Sequence, residues 1–354
     1  MAMRTFTALP APDPQLLAHA RRVTPSRPEH DRIAAELPCL HAIEVVAPPE
    51  PRRPGNRVTI AAWNAERCKF IAESAALLAA IDADIVLLSE LDVGMARSGN
   101  RHTIRELARM LGSGYAFGVE YVELGLGDNR EKAWHAGQSN EVGLHGNAIL
   151  GKSELGAMDV VRLDEGARWF AGEQTTQERR IGWRMAIAAT IDAAGAPLTV
   201  VSVHLESSTD AADRAAQVAT LLDAIDRRAA GRPVVIGGDF NTSDLPPGDT
   251  ADGTWFVEPA AHEPLFDLFT KAGYDWRAAN RPDATERMRP DGTPTPPYRR
   301  IDWFFTRGVT VRSASQIAAT DCAGSAISDH DVIVVDLEID DTLRSSGSSP
   351  VAHR

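Results

Sequence analysis

The run Asp84-Ile85-Val86-Leu87-Leu88-Ser89-Glu90 restricts this chain most. Its centre is apolar without alternation, although successive side chains of a strand point to opposite faces. Such a strand is dry on both sides, which places it in the middle of a sheet covered on both faces. A second stretch, Val234-Val235-Ile236-Gly237-Gly238-Asp239-Phe240-Asn241, also reads as a buried strand with a polar ending. Its two glycines are expected to clear space for the residues that follow. Asp239 and Asn241, two positions apart, face one side of an extended chain, with Phe240 turned into the core. D-x-N at the end of a strand is also the pattern of an Asx turn, and the octapeptide alone leaves both readings open.

Strand patterns recur at Arg57–Asn64, Tyr115–Glu123, Gly146–Leu150, Met158–Leu163, Trp183–Ile191, Leu198–His204, Ile301–Thr306 and Val332–Leu337. Helical spacing marks Lys69–Ile81, Thr103–Leu111, Ala211–Ala230 and Glu263–Ala272. Asp192-Ala193-Ala194-Gly195 reads as a hairpin turn. Strands and helices in two successive groups predict an α/β chain of two packed mixed sheets with helices outside, one domain over residues 57–340. Residues 1–56, rich in proline and arginine, carry helix-like pieces at Gln15–Arg22 and Glu29–Leu37. They are expected to form an accessory arm that packs on the domain or partly frays. Residues 341–354 are polar and expected to be disordered. Gly125–Glu141 and the five-proline stretch Tyr274–Arg299 read as loops.

The formal net charge of −12 argues against a generic polyanion binder, though not against a local basic pocket or a metal. Cys39, Cys68 and Cys322 are scattered, with no C-x-x-C pair, so neither a zinc finger nor a disulfide framework is expected. A reducing, cytoplasmic setting fits that cysteine usage. The N-terminus lacks a signal-type apolar run, and no stretch approaches the length of a membrane span.

The polar residues at the strand ends are Asn64, Glu90, His204, Asp239 with Asn241, and Asp329 with His330, while Asp302 lies one residue into its strand. Asn, Asp, Glu and His suit a hard divalent cation with acid–base histidines. A G-x-S-x-G elbow, which a serine hydrolase of the α/β-hydrolase kind requires, is absent.

Seven motifs stand in one order: W-N-A-E (63–66), D-I-V-L-L-S-E (84–90), G-N-A-I-L (146–150), V-S-V-H-L (201–205), G-G-D-F-N (237–241), R-I-D-W-F-F (300–305) and S-D-H (328–330). In these the chain resembles the endonuclease/exonuclease/phosphatase superfamily, the metal-dependent phosphodiesterases related to DNase I, over about residues 57–339. The resemblance implies a four-layer α/β/β/α sandwich and one or two Mg2+ or Mn2+ ions. Carried over by position, it places Asn64 and Glu90 in the metal site, with Glu90 the principal ligand. Asp239 orients or deprotonates the attacking water, and Asn241 donates to the scissile phosphate. His204 stabilises the phosphoryl oxygens or acts as an acid. His330 contacts the phosphate, Asp302 orients it and keeps it protonated, and Asp329 fits a second metal or a water contact.

Further candidates lie outside the seven motifs. Arg179, Arg180 and Arg184 form either a phosphate clamp or a solvated cluster. Asn140, Glu141 and His145 precede the G-N-A-I-L strand, where the resemblance implies that one of the three touches substrate. Trp276, Arg281, Arg287 and Arg289 form a specificity wall or plain surface loop. Glu66 is expected near the N-terminus of the following helix rather than on a metal. The motifs point to hydrolysis of a phosphoester, foremost a phosphodiester, by an activated water. A soluble phosphoester fits the charge balance at least as well as nucleic acid does. A lipid-headgroup phosphodiesterase and a non-catalytic binding module on the same fold are the alternatives.

Overall fold

The computed structural model describes residues 3–172, 178–229, 231–247 and 254–339; the tail at 341–354 lies outside them. The chain runs β1 (Arg4–Phe6), α1 (Pro14–Arg22), α2 (Arg27–Ala35), β2 (Ala42–Val46), β3 (Arg57–Arg67), α3 (Ile71–Ile81), β4 (Ile85–Val93) and α4 (Thr103–Leu111). It continues through β5 (Gly114–Glu123), α5 (Asn129–Trp134), β6 (Leu144–Gly151), β7 (Gly156–Arg162), α6 (Arg168–Ala171), β8 (Arg180–Gly182), β9 (Met185–Ala193) and β10 (Ala196–His204). Then come α7 (Ala211–Arg228), β11 (Val234–Asp239), α8 (Leu265–Lys271), β12 (Asp302–Arg307), β13 (Thr310–Ile317) and β14 (Val332–Glu338).

Nine strands form one mixed sheet in the order β1-β2-β5-β6-β4-β3-β14-β13, with β8 paired to β5. Five form the other, β12-β11-β10-β9-β7. The unalternating run of β4 is explained by its two faces. Ile85 and Leu87 pack between the sheets with Ile60, Ile187, Val235 and Phe304. Val86 and Leu88 pack outward with Leu78 of α3 and Leu107 of α4. In the smaller sheet, Val234 and Ile236 meet Leu222 of α7 and Phe266 of α8. Each fully buried side chain of this size contributes about 1.5–3 kcal/mol. The result is the four-layer α/β/β/α sandwich.

Residues 4–46 extend the larger sheet. β2 pairs with β5 and β1 with β2, and Leu17, Ala20, Ile33 and Leu40 join the core under the outer helices. Both arm helices carry side-chain N-caps, Asp13 accepting from Gln15 N at 2.8 Å and Ser26 from Glu29 N at 3.3 Å.

Some elements differ from the sequence reading. The loop expected over Gly125–Glu141 contains α5, opened by a capping box between Asp128 and Glu131. β13 was not expected, because an exposed edge strand such as T-V-R-S-A-S-Q-I has no apolar pattern. The proline-rich stretch is anchored: Asn280 is bonded to both backbone groups of Phe304, and Thr285 Oγ1 accepts from Ile301 N and Asp302 N at 3.1 Å. The two glycines of β11 make room for packing, not for the site. A Cβ on Gly237 would stand 2.5 Å from the Phe304 ring, and one on Gly238, at φ +142°, 2.2 Å from the Val203 carbonyl.

Candidate active site

Strand register assembles the site. β10 and β11 are parallel with His204 opposite Asp239, and β12 runs antiparallel with Asp302 opposite Asp239. Three chemically active side chains thus lie in one row at one end of the smaller sheet. The parallel strands β3 and β4 bring Asn64 and Glu90 to the same end of the larger sheet, and each breaks register there. Those breaks coincide with left-handed non-glycine residues: Glu66 (φ 42°), Arg67 (67°), Cys68 (50°) and Glu90 (56°), with Asn241 (48°) across the cleft. Each such residue costs about 1–3 kcal/mol, so the surrounding fold must impose them. Strain of this kind is concentrated where function needs a side chain aimed against backbone preference.

Asp239 is the centre. Its Oδ1 accepts the Asn241 N–H at 2.8 Å, which is an Asx turn. Its Oδ2 accepts from Asn64 Nδ2 at 3.0 Å and lies 3.7 Å from His204 Nε2 and 3.9 Å from His330 Nε2. The turn and the site are therefore one structure, one oxygen serving each. Phe240 packs in the core, edge-on to the stacked rings of Phe269 and Phe305. Asn64 also donates to Glu90 Oε1 at 3.2 Å, while its own Oδ1 accepts Glu66 N–H at 3.1 Å. Asn241 gives one amide N–H to the Leu205 carbonyl at 2.9 Å, which leaves its other N–H for the cavity.

Three imidazoles line the cavity, each backed by a carboxylate. His330 Nδ1 meets Asp302 at 2.9 Å, His145 Nδ1 meets Asp92 at 2.7 Å, and His204 Nδ1 lies 3.3 Å from Glu120. Ser328 of the S-D-H motif bridges two site segments, donating to the Asn64 carbonyl at 2.7 Å and accepting His330 N–H at 3.1 Å.

The electrostatics sort these groups. Burial pulls the His330 imidazole down, but Asp302 and Asp239 overrule it and hold it well above its ordinary value. His330 lies close to Asp239 and Asp302, whose negative charges favour its protonated form, in which both ring nitrogens donate. Burial lowers His145, despite Asp92. Burial raises Asp239, and the charge of Asp302 adds to the rise. Burial would raise Glu90 too, yet Arg67 and then His204 hold it well below the carboxylate range.

The cavity, about 500 Å³, is lined by Glu90, Asp239, Asn241, His204, His330, Arg180, Arg184 and His145 among the residues expected from sequence. Arg184 is neither solvated nor free. It is buried, bonds Glu120 at 2.6 Å and Glu206 at 3.3 Å, and lies 5.0 Å over Trp169. Arg180 bonds Glu123 at 3.1 Å and lies 4.3 Å over Tyr121. Arg179 points away, to the carbonyls that end α1. Glu141 is exposed and outside the cavity lining, and Asn140 bonds backbone at Ala96 and Gly125. Trp276 is buried among Phe256, Phe266 and Trp303, a core side chain and not a specificity wall. Arg281 is exposed, Arg287 bonds Asp331 at 2.9 Å, and Arg289 approaches Asp329 at 3.8 Å. Sequence reasoning missed Arg67, Glu120, Tyr121, Trp169 and Glu206. Of these, Glu206 carried a signal, since it stands two residues beyond His204.

Residues 61–330 match the model of the Endonuclease/Exonuclease/phosphatase family. The chain belongs to this family. Among solved structures, an endonuclease/exonuclease/phosphatase from Beutenbergia cavernae is similar at 22% identity and TM-score 0.56, over 85% of this chain and 74% of that one. One from Bacteroides vulgatus is similar at 16% identity and TM-score 0.53, over 80% and 99%. The human Nocturnin catalytic domain with bound sulfate is similar at 18% and 0.54, over 84% and 98%. At such identities the likeness is one of fold. No curated protein matches the chain. Endonuclease/exonuclease/phosphatase proteins are generally phosphoesterases or nucleases and depend on divalent metals.

The residues present fit such an ion. Glu90, Glu66 and Asp329 offer hard oxygen donors. Glu66, expected near the N-terminus of the following helix, is buried just before α3, and its Oε2 has no hydrogen-bond partner among the described residues. Burial and the charge of Asp329 push Glu66 up to about 7, and burial and Glu90 raise Asp329 in turn. Each of the three has a cation at hand, Arg67 2.6 Å from Glu90, Lys69 3.1 Å from Glu66 and Arg289 3.8 Å from Asp329. A second acidic group, Asp128, Glu131 and Glu178, is likewise answered by Arg67, Arg97, Arg130 and Arg180. Among the described residues no helix is long and apolar enough to cross a membrane.

Proposed function

We propose that this chain hydrolyses phosphoester bonds, foremost those of a soluble phosphodiester, by in-line attack of a water held at Asp239. The observation that carries the reading is the environment of Asp239 Oδ2, with Asn64 at 3.0 Å, His204 at 3.7 Å and His330 at 3.9 Å. Asp239 orients the water and accepts its proton, a task suited to a carboxylate whose burial raises its proton affinity. His330, cationic and fixed by Asp302, faces the phosphoryl oxygens, and His204 supports them from the next strand. The free Asn241 N–H adds a donor. These groups are pre-aimed at the charge that develops during displacement. Mg2+ or Mn2+, when bound, would neutralise phosphoryl charge. Glu90 would hold it, with Asp329 and Glu66 at hand and Asn64 orienting Glu90.

The cavity walls carry charges of both signs and the sequence a net −12, which favours a small polar ester over a polyanion. A second reading, a lipid-headgroup phosphodiesterase, draws on the exposure of Phe70 (37%), Trp134 (54%) and Met288 (46%), which belong to the segments carrying Lys69, Glu131 and Arg287. The test is a panel of bis(p-nitrophenyl) phosphate, nucleotide phosphodiesters, RNA, plasmid, abasic duplex and sphingomyelin with Mg2+, Mn2+ or EDTA. Turnover of small diesters, abolished by EDTA and insensitive to salt, supports the reading. Activity confined to nucleic acid and falling steeply with salt would replace it with a nuclease. Preference for sphingomyelin vesicles would favour the second reading.

A further inference from the structure

Arg67 is the unexpected cation of this site. It is aimed by three successive left-handed residues, Glu66, Arg67 and Cys68, none of them glycine. Its NH1 donates to Glu90 Oε2 at 2.6 Å. Its Nε stands 3.1 Å from Glu131 Oε1, an ion pair without hydrogen-bond alignment. Glu131 is itself fixed, accepting from Arg97 NH1 at 3.1 Å and from the Asp128 N–H at 2.9 Å. The other Glu90 oxygen accepts from Asn64 at 3.2 Å. Both oxygens of this carboxylate therefore have a donor, and one of those donors is a full charge.

We propose that Arg67 sets how tightly this chain holds a divalent cation: by claiming Oε2 of Glu90 it confines a metal to Oε1 and cancels the charge that would attract the ion. Arg67 is a positioning residue, acting through Glu90, and Glu131 is its counterweight. The counterweight draws Arg67 away from Glu90, so the two residues push metal affinity in opposite directions. The same turn repeats the device on a smaller scale, with Lys69 Nζ 3.1 Å from Glu66 Oε1. A site balanced by its own cations exchanges its ion readily, whereas an unbalanced one would trap it.

The inference rests on the reading of Glu90 as the metal carboxylate. The experiment is calorimetric titration of the full metal-free chain with Mn2+. Arg67→Gln keeps a hydrogen-bond donor without the charge, and its Kd for Mn2+ is expected to fall by about tenfold or more, the scale seen for groups that contact metal ligands. Arg67→Lys, which keeps the charge, is expected to stay near wild type. Glu131→Gln leaves Arg67 wholly to Glu90 and is expected to raise Kd. Opposite signs for the glutamine variants at 67 and 131 are not produced by loosened structure alone. Unchanged or weaker binding by folded Arg67→Gln would overturn the proposal. If Arg67→Gln does not fold, the rise in Glu131→Gln carries the test, and no rise there overturns the proposal. A wild-type chain that binds no Mn2+ would instead remove the proposed metal dependence itself.

Discussion

Asp302 grips the buried imidazole of His330 through a 2.9 Å hydrogen bond, and the remaining Asp302 oxygen has no hydrogen-bond partner among the described residues. The bond fixes the ring and keeps it charged. In Asp302→Asn the imidazole is expected to titrate lower, moving the basic limb of the pH–rate profile to lower pH and lowering kcat by about 10²–10⁴. A histidine raised on folding contributes stability that is complete below its unfolded value of about 6.5 and fades as pH rises through its folded value. Urea unfolding at pH 6 and pH 9 is expected to show a smaller pH difference in the variant than in wild type.

Arg184 and Arg180 line the same cavity with different consequences. Arg184→Ala would leave Glu120 and Glu206 buried without their cation, at a cost of about 3–5 kcal/mol. A large loss in urea midpoint is expected. Arg180 faces the cavity from an aromatic wall and pairs with the buried Glu123, so Arg180→Lys, which keeps the charge without the planar fork, is expected to keep the fold and raise KM by about tenfold.

Trp276 supplies a negative control. Its ring fills the aromatic cluster under α8, so Trp276→Ala is expected to cost about 3–5 kcal/mol and leave KM unchanged. A selective change in KM with intact stability would return the residue to the substrate wall.

Metal linkage is measurable without substrate. Mn2+ at a hundred times its Kd is expected to stabilise the chain by about 2.7 kcal/mol, and Glu90→Gln is expected to abolish the shift. EDTA is expected to return wild type to the metal-free melting temperature.

Much of the site was legible because each of its strands stops being apolar at the residue that matters. Glu90, His204 and Asp239 all lie where a buried run ends; register makes His204 and Asp239 neighbours, and the packing of the two sheets brings Glu90 into the same cavity. Arg67 lay beyond a bulge, where alternation no longer says which way a side chain points. Glu120 sits inside a buried strand, paired to Arg184 in the link between β8 and β9, and nothing in V-E-Y-V-E announces that partner. The layers were legible from the two-faced burial of β4 and β11, whereas β8 and the six-residue α5 are too short to carry a period. Trp276 was misplaced because an aromatic residue in a loop has no pattern that separates lining a pocket from capping a core.

The central claim is that Asp239 activates a water on a phosphoester. Its most direct test is the rate of bis(p-nitrophenyl) phosphate hydrolysis at saturating Mn2+ by wild type and Asp239→Asn. The account predicts metal-dependent turnover in wild type and a fall of about a thousandfold in the variant, with circular dichroism unchanged and melting temperature unchanged or higher. Equal rates in the two proteins would contradict it.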